Sequence, residues 1–203
     1  MKNTLIKICG LTCDEDIAAV NKYKPDYVGF VMFFPKSKRN LTVEKAKSLM
    51  SGLDKNIKKI AVVVSPTIEQ LIEMQKEAFD YIQIHGELKE EVYDKCVLPI
   101  IKAFNVSDMD EIDNYRSKDK IKGFVFDAPA PGSGKAFDWT LLNTVSRDDR
   151  LFILSGGLSD VNVCKGIEEV KPDVVDVSSG VEYGDKPGKD PEKIEKFIKA
   201  VRG

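Results

Sequence analysis

The chain has 203 residues, 42% apolar and 32% charged, which suits a soluble globular protein and is long enough for one large domain. Its formal net charge of −2 leaves no field to draw nucleic acid or anionic lipid, and the basic cluster Lys36, Lys38 and Arg39 is too short to change that. No apolar run approaches a membrane span or a secretory signal, the 4 cysteines are too sparse for a disulfide framework, and the single histidine argues against a His-rich metal site, so a reducing cytoplasm is the expected compartment.

The first apolar run, LIKIC at 5–9, ends on a cysteine followed by a glycine. Strand side chains alternate, so Leu5, Lys7 and Cys9 share a face. A lone strand-end cysteine is by default a small filler, but a lysine facing a core is costly unless paired or used. Thr12 and Glu15 have the spacing of a capping box, which puts Cys13 in the first turn of a helix over DEDIAAVNKY. After YVGFVM at 27–32 comes the loop FFPKSKRNLT, where Arg39 is either a two-pronged carboxylate clamp or part of a solvated basic loop.

KKIAVVV at 58–64 and the helical pattern of TIEQLIEMQKEAF precede YIQIH at 81–85, in which Gln83 and His85 share a face as polar rim residues or as satisfied core residues. IIKAF at 100–104 and GFVFD at 123–127 follow. Asp127 closes a Phe- and Val-rich run; it is a turn cap for the next loop, or a half-buried carboxylate whose pKa desolvation raises until it donates a proton near neutrality. LFILS at 151–155 leads into the Gly156–Gly157 pair, and VVDVSS at 174–179 into Gly180, with Asp176 and Ser178 on one face. The final PEKIEKFIKAVRG has the apolar spacing of one helical face.

Eight β-like runs alternating with helical patterns predict parallel strands joined by crossover helices, in one domain over residues 1–203. A compact α/β closed barrel of the (β/α)8 TIM type accommodates eight units better than the alternative, a doubly wound open sheet. Such barrels carry their chemistry at the C-terminal strand ends and often hold phosphate between the last two loops. That places Cys9 and Asp127 on the catalytic rim, and makes Gly156, Gly157, Ser178, Ser179 and Gly180 the expected phosphate contacts. The loops at 33–41 and 129–136 are candidate lids.

KICGLT at 7–12, QIHG at 83–86, FDAPAPGSGKAFDW at 126–139, LSGGL at 154–158, DVSSGVE at 176–182 and PGKD at 187–190 form an ordered set that resembles the phosphoribosylanthranilate isomerase family of tryptophan biosynthesis. The resemblance implies an Amadori rearrangement of an aminoaldose, N-(5-phosphoribosyl)anthranilate, to a 1-amino-1-deoxyribulose 5-phosphate. It makes Asp127 the general acid and Cys9 the general base, gives the anthranilate carboxylate to Arg39, and lets Asp176 orient the amine or hydroxyls, with Gln83 and His85 also at the substrate. Strand parity then makes Lys7 the cation that lowers the Cys9 thiol. The implied partner is the small-molecule substrate alone, with no metal or organic cofactor, no nucleic acid and no membrane, in a monomer or a homodimer. The competing readings are another phosphosugar-processing barrel, such as a pentose-phosphate epimerase or indole-glycerol-phosphate synthase, and a phosphosugar-binding barrel without catalysis. The metal-dependent epimerases look for several histidines, the synthase relies on lysine and glutamate at its strand ends, and a binding barrel needs no Cys9 with Asp127.

Overall fold

The computed structural model describes residues 4–128 and 136–203. Eight parallel strands follow one another in order: β1 (Leu5–Cys9), β2 (Tyr27–Met32), β3 (Lys58–Val64), β4 (Tyr81–His85), β5 (Ile100–Asn105), β6 (Ile121–Asp127), β7 (Leu151–Leu154) and β8 (Val174–Val177). Each pairs with its neighbour in sequence, and β1 pairs with both β2 and β8, so the sheet closes into the expected barrel. A two-residue strand, Asn40–Leu41, pairs in parallel with Val31 and Met32 at the end of β2.

Alternation along the strands sorts the side chains into two cores. Cys9, Ile60, Val62, Ile101, Ala103, Val125, Ile153 and Val174 fill the barrel. Ile6, Ile8, Val28, Phe30, Ile82 and Ile84 point the other way, into a larger cluster under the helices. Each such large apolar side chain contributes ~1.5–3 kcal/mol by leaving water. The helices are α1 (Asp14–Tyr23), α2 (Val43–Ser51), α3 (Ile68–Gln75), α4 (Glu90–Lys95), α5 (Asp113–Arg116), α6 (Val163–Val170) and α7 (Pro191–Arg202). Between β6 and β7 the described chain has a 3-10 turn, Trp139–Thr144, in place of an α-helix, which helps 203 residues complete eight units.

Two local expectations are corrected. Thr12 and Glu15 form no capping box: Cys13 is the N-cap of α1 and makes no side-chain cap bond. The Thr12 amide and hydroxyl instead donate to the buried carboxylate of Asp16, at 2.7 and 3.2 Å. A capping box does form at Thr67 and Gln70, where α3 begins beside solvent and nothing competes for the threonine. The last two strands stop at Leu154 and Val177, so Ser155, Ser178 and Ser179 belong to the loops. The predicted lid at 129–136 lies, up to residue 135, outside the described residues.

Candidate active site

Lys7 and Cys9 both turn into the barrel mouth from β1, as strand parity requires. Lys7 is 0% exposed, and its Nζ donates to Asp176 Oδ2 at 2.7 Å across the β1–β8 pairing. Burial works against the ammonium, but the Asp176 carboxylate and the Cys9 sulfur outweigh it and hold its pKa above the ordinary lysine value. The Cys9 thiol moves up as well: burial raises it, Lys7 pulls it down, and Asp176 pushes it back up. Lys7 acts in the expected direction, but Asp176 takes up its charge and desolvation prevails.

Room for these two side chains comes from Gly29 on β2, which pairs with Cys9. A Cβ at Gly29 would stand 2.8 Å from the Cys9 Sγ and 3.3 Å from the Lys7 Nζ. A glycine inside an otherwise apolar strand is the sequence mark of such an approach. Gly29→Ala is expected to displace the thiol, costing ~1–3 kcal/mol of stability as over-packing does and at least about tenfold in kcat/KM through misplacement. Steady-state kinetics beside a thermal melt test this, and unchanged kcat/KM in a folded variant refutes it.

Asp127 ends β6, 8% exposed. Burial lifts its carboxyl to about 6, against the hydrogen bond it accepts from the Ala128 amide, while Asp176 adds to the rise and Lys7 opposes it. The loop after β7 seats it: a Cβ at Gly156, whose φ is +84°, would lie 2.6 Å from the Ala128 nitrogen and 2.9 Å from Asp127 Oδ1. An acid whose folded pKa stands above its unfolded value binds more protons when folded. Its contribution to stability is therefore greatest below the unfolded value of 3.8 and is lost as pH rises through about 6. The rise of about two pH units corresponds to about 3 kcal/mol. Asp127→Asn is accordingly expected to raise the melting temperature at pH 7.5 and to leave it nearly unchanged below pH ~3.8. Equal melting at both pH values in wild type and variant would show that the carboxyl is not perturbed.

A charged cluster that sequence reasoning only half found lies on the same rim. Arg39 Nε donates to Glu182 Oε1 at 2.5 Å, Lys38 Nζ meets Oε2 at 2.8 Å, and Lys189 Nζ meets Oε1 at 3.2 Å. Burial raises the Glu182 carboxyl, but these cations overcome that and hold it at about 2. Lys189, 1% exposed, also donates to the carbonyl and hydroxyl of Ser178, and the Ser178 hydroxyl donates to the Cys9 carbonyl at 2.9 Å. Burial pulls the Lys189 ammonium below its ordinary pKa, with Glu182 opposing. Glu182 and Lys189 were legible only as letters inside the motifs SSGVE and PGKD. Ser179 and Gly180 form the 3-10 turn after β8, and Gly180 packs so closely on the Leu158 carbonyl that the loops after β7 and β8 touch.

On the other side of the mouth, Gln83 is buried and its Nε2 lies 2.8 Å from His85 Nε2. With the amide so oriented the ring accepts at Nε2 and carries its proton on Nδ1. Burial, and then the Lys7 and Lys102 charges, hold His85 down at about 3, so it is neutral throughout the physiological range. Gln83 Oε1 and Asp176 Oδ1 are buried acceptors without a described protein partner. A cavity of about 710 Å³ opens beside His85, lined by Lys102, Asp108, Glu111 and Tyr115 among others, but not by Cys9 or Asp127. Among the described residues no group of three or more His, Cys, Asp or Glu side chains is placed to hold a metal ion. No described helix is long and apolar enough to cross a membrane.

The family model of N-(5'-phosphoribosyl)anthranilate isomerase matches residues 6–200. The N-(5'-phosphoribosyl)anthranilate isomerase of Clostridium kluyveri is 44% identical over 200 residues, covering 97% of both chains. The crystal structure of the Thermotoga maritima phosphoribosyl anthranilate isomerase superposes with a TM-score of 0.87 at 36% identity, covering 98% of this chain and 99% of that one. A phosphoribosyl anthranilate isomerase solved with reduced 1-(o-carboxyphenylamino)-1-deoxyribulose 5-phosphate superposes with a TM-score of 0.84 at 34% identity, with the same coverage. A buried strand-end thiol and carboxyl on a closed eight-stranded barrel and a match along almost the whole chain lead to one conclusion: the chain belongs to the N-(5'-phosphoribosyl)anthranilate isomerase family, aldose–ketose isomerases of tryptophan biosynthesis.

Proposed function

We propose that this chain carries out the family's Amadori rearrangement with Asp127 as general acid and Cys9 as general base. Asp127 gives its proton to the ribose ring oxygen as the C1–O bond breaks and the anthranilate nitrogen closes a C1=N bond. The Cys9 thiolate then takes the C2 proton, and the freed pair forms C1=C2 while the C1=N pair returns to nitrogen. The enolamine gains a proton at C1 and loses one from the C2 hydroxyl, giving the ketone with no net gain or loss of protons. Each positioned proton transfer contributes about 10²–10⁴-fold.

The observation that carries this reading is the Asp127 carboxyl, held at about 6 at the end of β6, so that about a tenth of it is an acid at pH 7. The rest of the rim fits the two ends of the substrate. Glu182 occupies Arg39 through Nε, which leaves the outer N–H groups of the guanidinium for the anthranilate carboxylate. The touching loops at Gly156–Gly157 and Ser178–Gly180 suit the 5-phosphate. There Ser178 would bind through its backbone, because its hydroxyl already serves the Cys9 carbonyl. The ligand named in the related complex carries a carboxylate and a phosphate, the two groups that these clusters would take. The unpartnered acceptors Asp176 Oδ1 and Gln83 Oε1, and the neutral His85, are then available to the substrate's N–H and O–H groups. The four free thiols are consistent with a reducing cytoplasm as the site of action. The test is the loss of anthranilate-type fluorescence with freshly generated phosphoribosylanthranilate. Enzyme-dependent decay is expected, and a protein that binds a phosphosugar without turnover would overturn the reading.

A further inference from the structure

We propose that the cavity between the ends of β4 and β5 is a second ligand site, which takes an aromatic α-amino acid as its zwitterion, with the carboxylate on Lys102 and the ammonium at Glu87 and Glu111.

Three lysines are buried among the described residues: Lys7, Lys102 and Lys189. Lys7 is paired with Asp176 and Lys189 with Glu182. Lys102 has no such partner. It shares the outer face of β5 with Phe104, while Ile101 and Ala103 point into the barrel. Its Nζ donates to the Ala103 carbonyl at 2.8 Å and lies 4.6 Å from the Phe104 ring and 5.2 Å from the Tyr115 ring. The other two N–H groups of the ammonium have no oxygen or nitrogen acceptor among the described residues, although the side chain is only 3% exposed. Burial pulls its pKa down to about 8 against the pull of Glu111 and Asp108, so most of it is charged at pH 7. A buried ammonium short of acceptors is costly, and an acceptor brought by a ligand removes that cost.

The same side chain lines the cavity of about 710 Å³, a size that suits a small organic molecule. Cys9, Arg39, Asp127, Asp176 and Ser178 do not line it, and His85 is the residue that it shares with the barrel mouth. Phe34, Phe104 and Tyr115 give it aromatic walls. Its acidic residues are Glu87, Asp108 and Glu111. Asp108 is occupied by the Asn105 amide at 3.0 Å and the Ser107 hydroxyl at 2.7 Å. Glu87 and Glu111 are exposed, and their carboxylates pair with no described residue. Three carboxylates against one ammonium disfavour a simple anion, and the buried ammonium disfavours a simple cation. A zwitterion with an aromatic side chain answers both charges and the walls together.

The experiment is calorimetric titration of the full chain with L-tryptophan, with tryptamine, which lacks the carboxylate, and with indole-3-propionate, which lacks the ammonium. L-tryptophan is expected to bind saturably with a Kd below about 1 mM. Tryptamine should bind about tenfold more weakly and indole-3-propionate about fivefold. Lys102→Met should weaken L-tryptophan about tenfold and hardly change tryptamine. Glu87→Gln with Glu111→Gln should weaken L-tryptophan about two- to fivefold without weakening indole-3-propionate. Binding should persist with the barrel mouth saturated by reduced 1-(o-carboxyphenylamino)-1-deoxyribulose 5-phosphate. Absence of saturable L-tryptophan binding overturns the proposal, and so does its loss when that compound is bound, which would place the ligand in the active site. Unchanged L-tryptophan affinity in a folded Lys102→Met overturns it as well. If that variant does not fold, equal affinities for L-tryptophan and tryptamine in wild type have the same force, since the lysine would then hold no carboxylate.

Discussion

Cys9→Ser and Asp127→Asn are each expected to lower kcat/KM by about 10²–10⁴-fold, with the barrel intact in both. The serine hydroxyl is far less acidic than a thiol and supplies no base at neutral pH. Asparagine keeps the shape of Asp127 but has no proton to give to the ring oxygen. The two side chains act in successive steps, so the double variant should fall well short of the product of the single losses once the residual rate comes from binding alone. Fluorescence decay of phosphoribosylanthranilate measures all three. The stability data separate chemistry from folding: Asp127→Asn should gain stability at pH 7.5 while losing turnover, because burial works against its carboxylate. Activity within tenfold of wild type in either single variant would remove that residue from the acid–base pair.

Lys7→Met is expected to destabilise the protein by about 3–5 kcal/mol, since it strands the Asp176 carboxylate at 4% exposure without its counter-ion. The double change Lys7→Met with Asp176→Leu should recover most of that loss, because an apolar pair of similar volume avoids the desolvation of both charges. Denaturant unfolding of the two singles and the double yields the coupling directly, and additive losses would mean that the 2.7 Å pair contributes nothing net. Lys7 has a folded pKa above its unfolded 10.5, so its stabilisation is fully present below that value and is lost as pH rises through the higher, folded one. The loss in Lys7→Met should therefore be complete at neutral pH. The refolded double variant should remain inactive, because neither charged side chain of the pair is then left at the barrel mouth.

Periodicity showed the eight strands and placed Lys7, Cys9 and Asp127 at the rim, because strand alternation is a local rule of the backbone. It also failed locally. Thr12 and Glu15 have the letters of a capping box, but Asp16, buried under the loop carrying Lys189, takes the Thr12 donors first. Arg39 stood in the sequence as either a clamp or a solvated loop residue. It is 14% exposed and held by Glu182, 143 residues away, which spacing does not reveal.

The sequence by itself determined which residues are present at the strand ends, that the strands are parallel, and that the chain has one thiol and one carboxyl on a common rim with glycine-rich loops beside them. Only the tertiary structure decided their electrostatics. Lys7 is spent on Asp176, Asp127 is lifted to about 6, and Lys189 is buried against Ser178 and Glu182, because pKa and pairing depend on desolvation and on charges brought together from opposite ends of the chain.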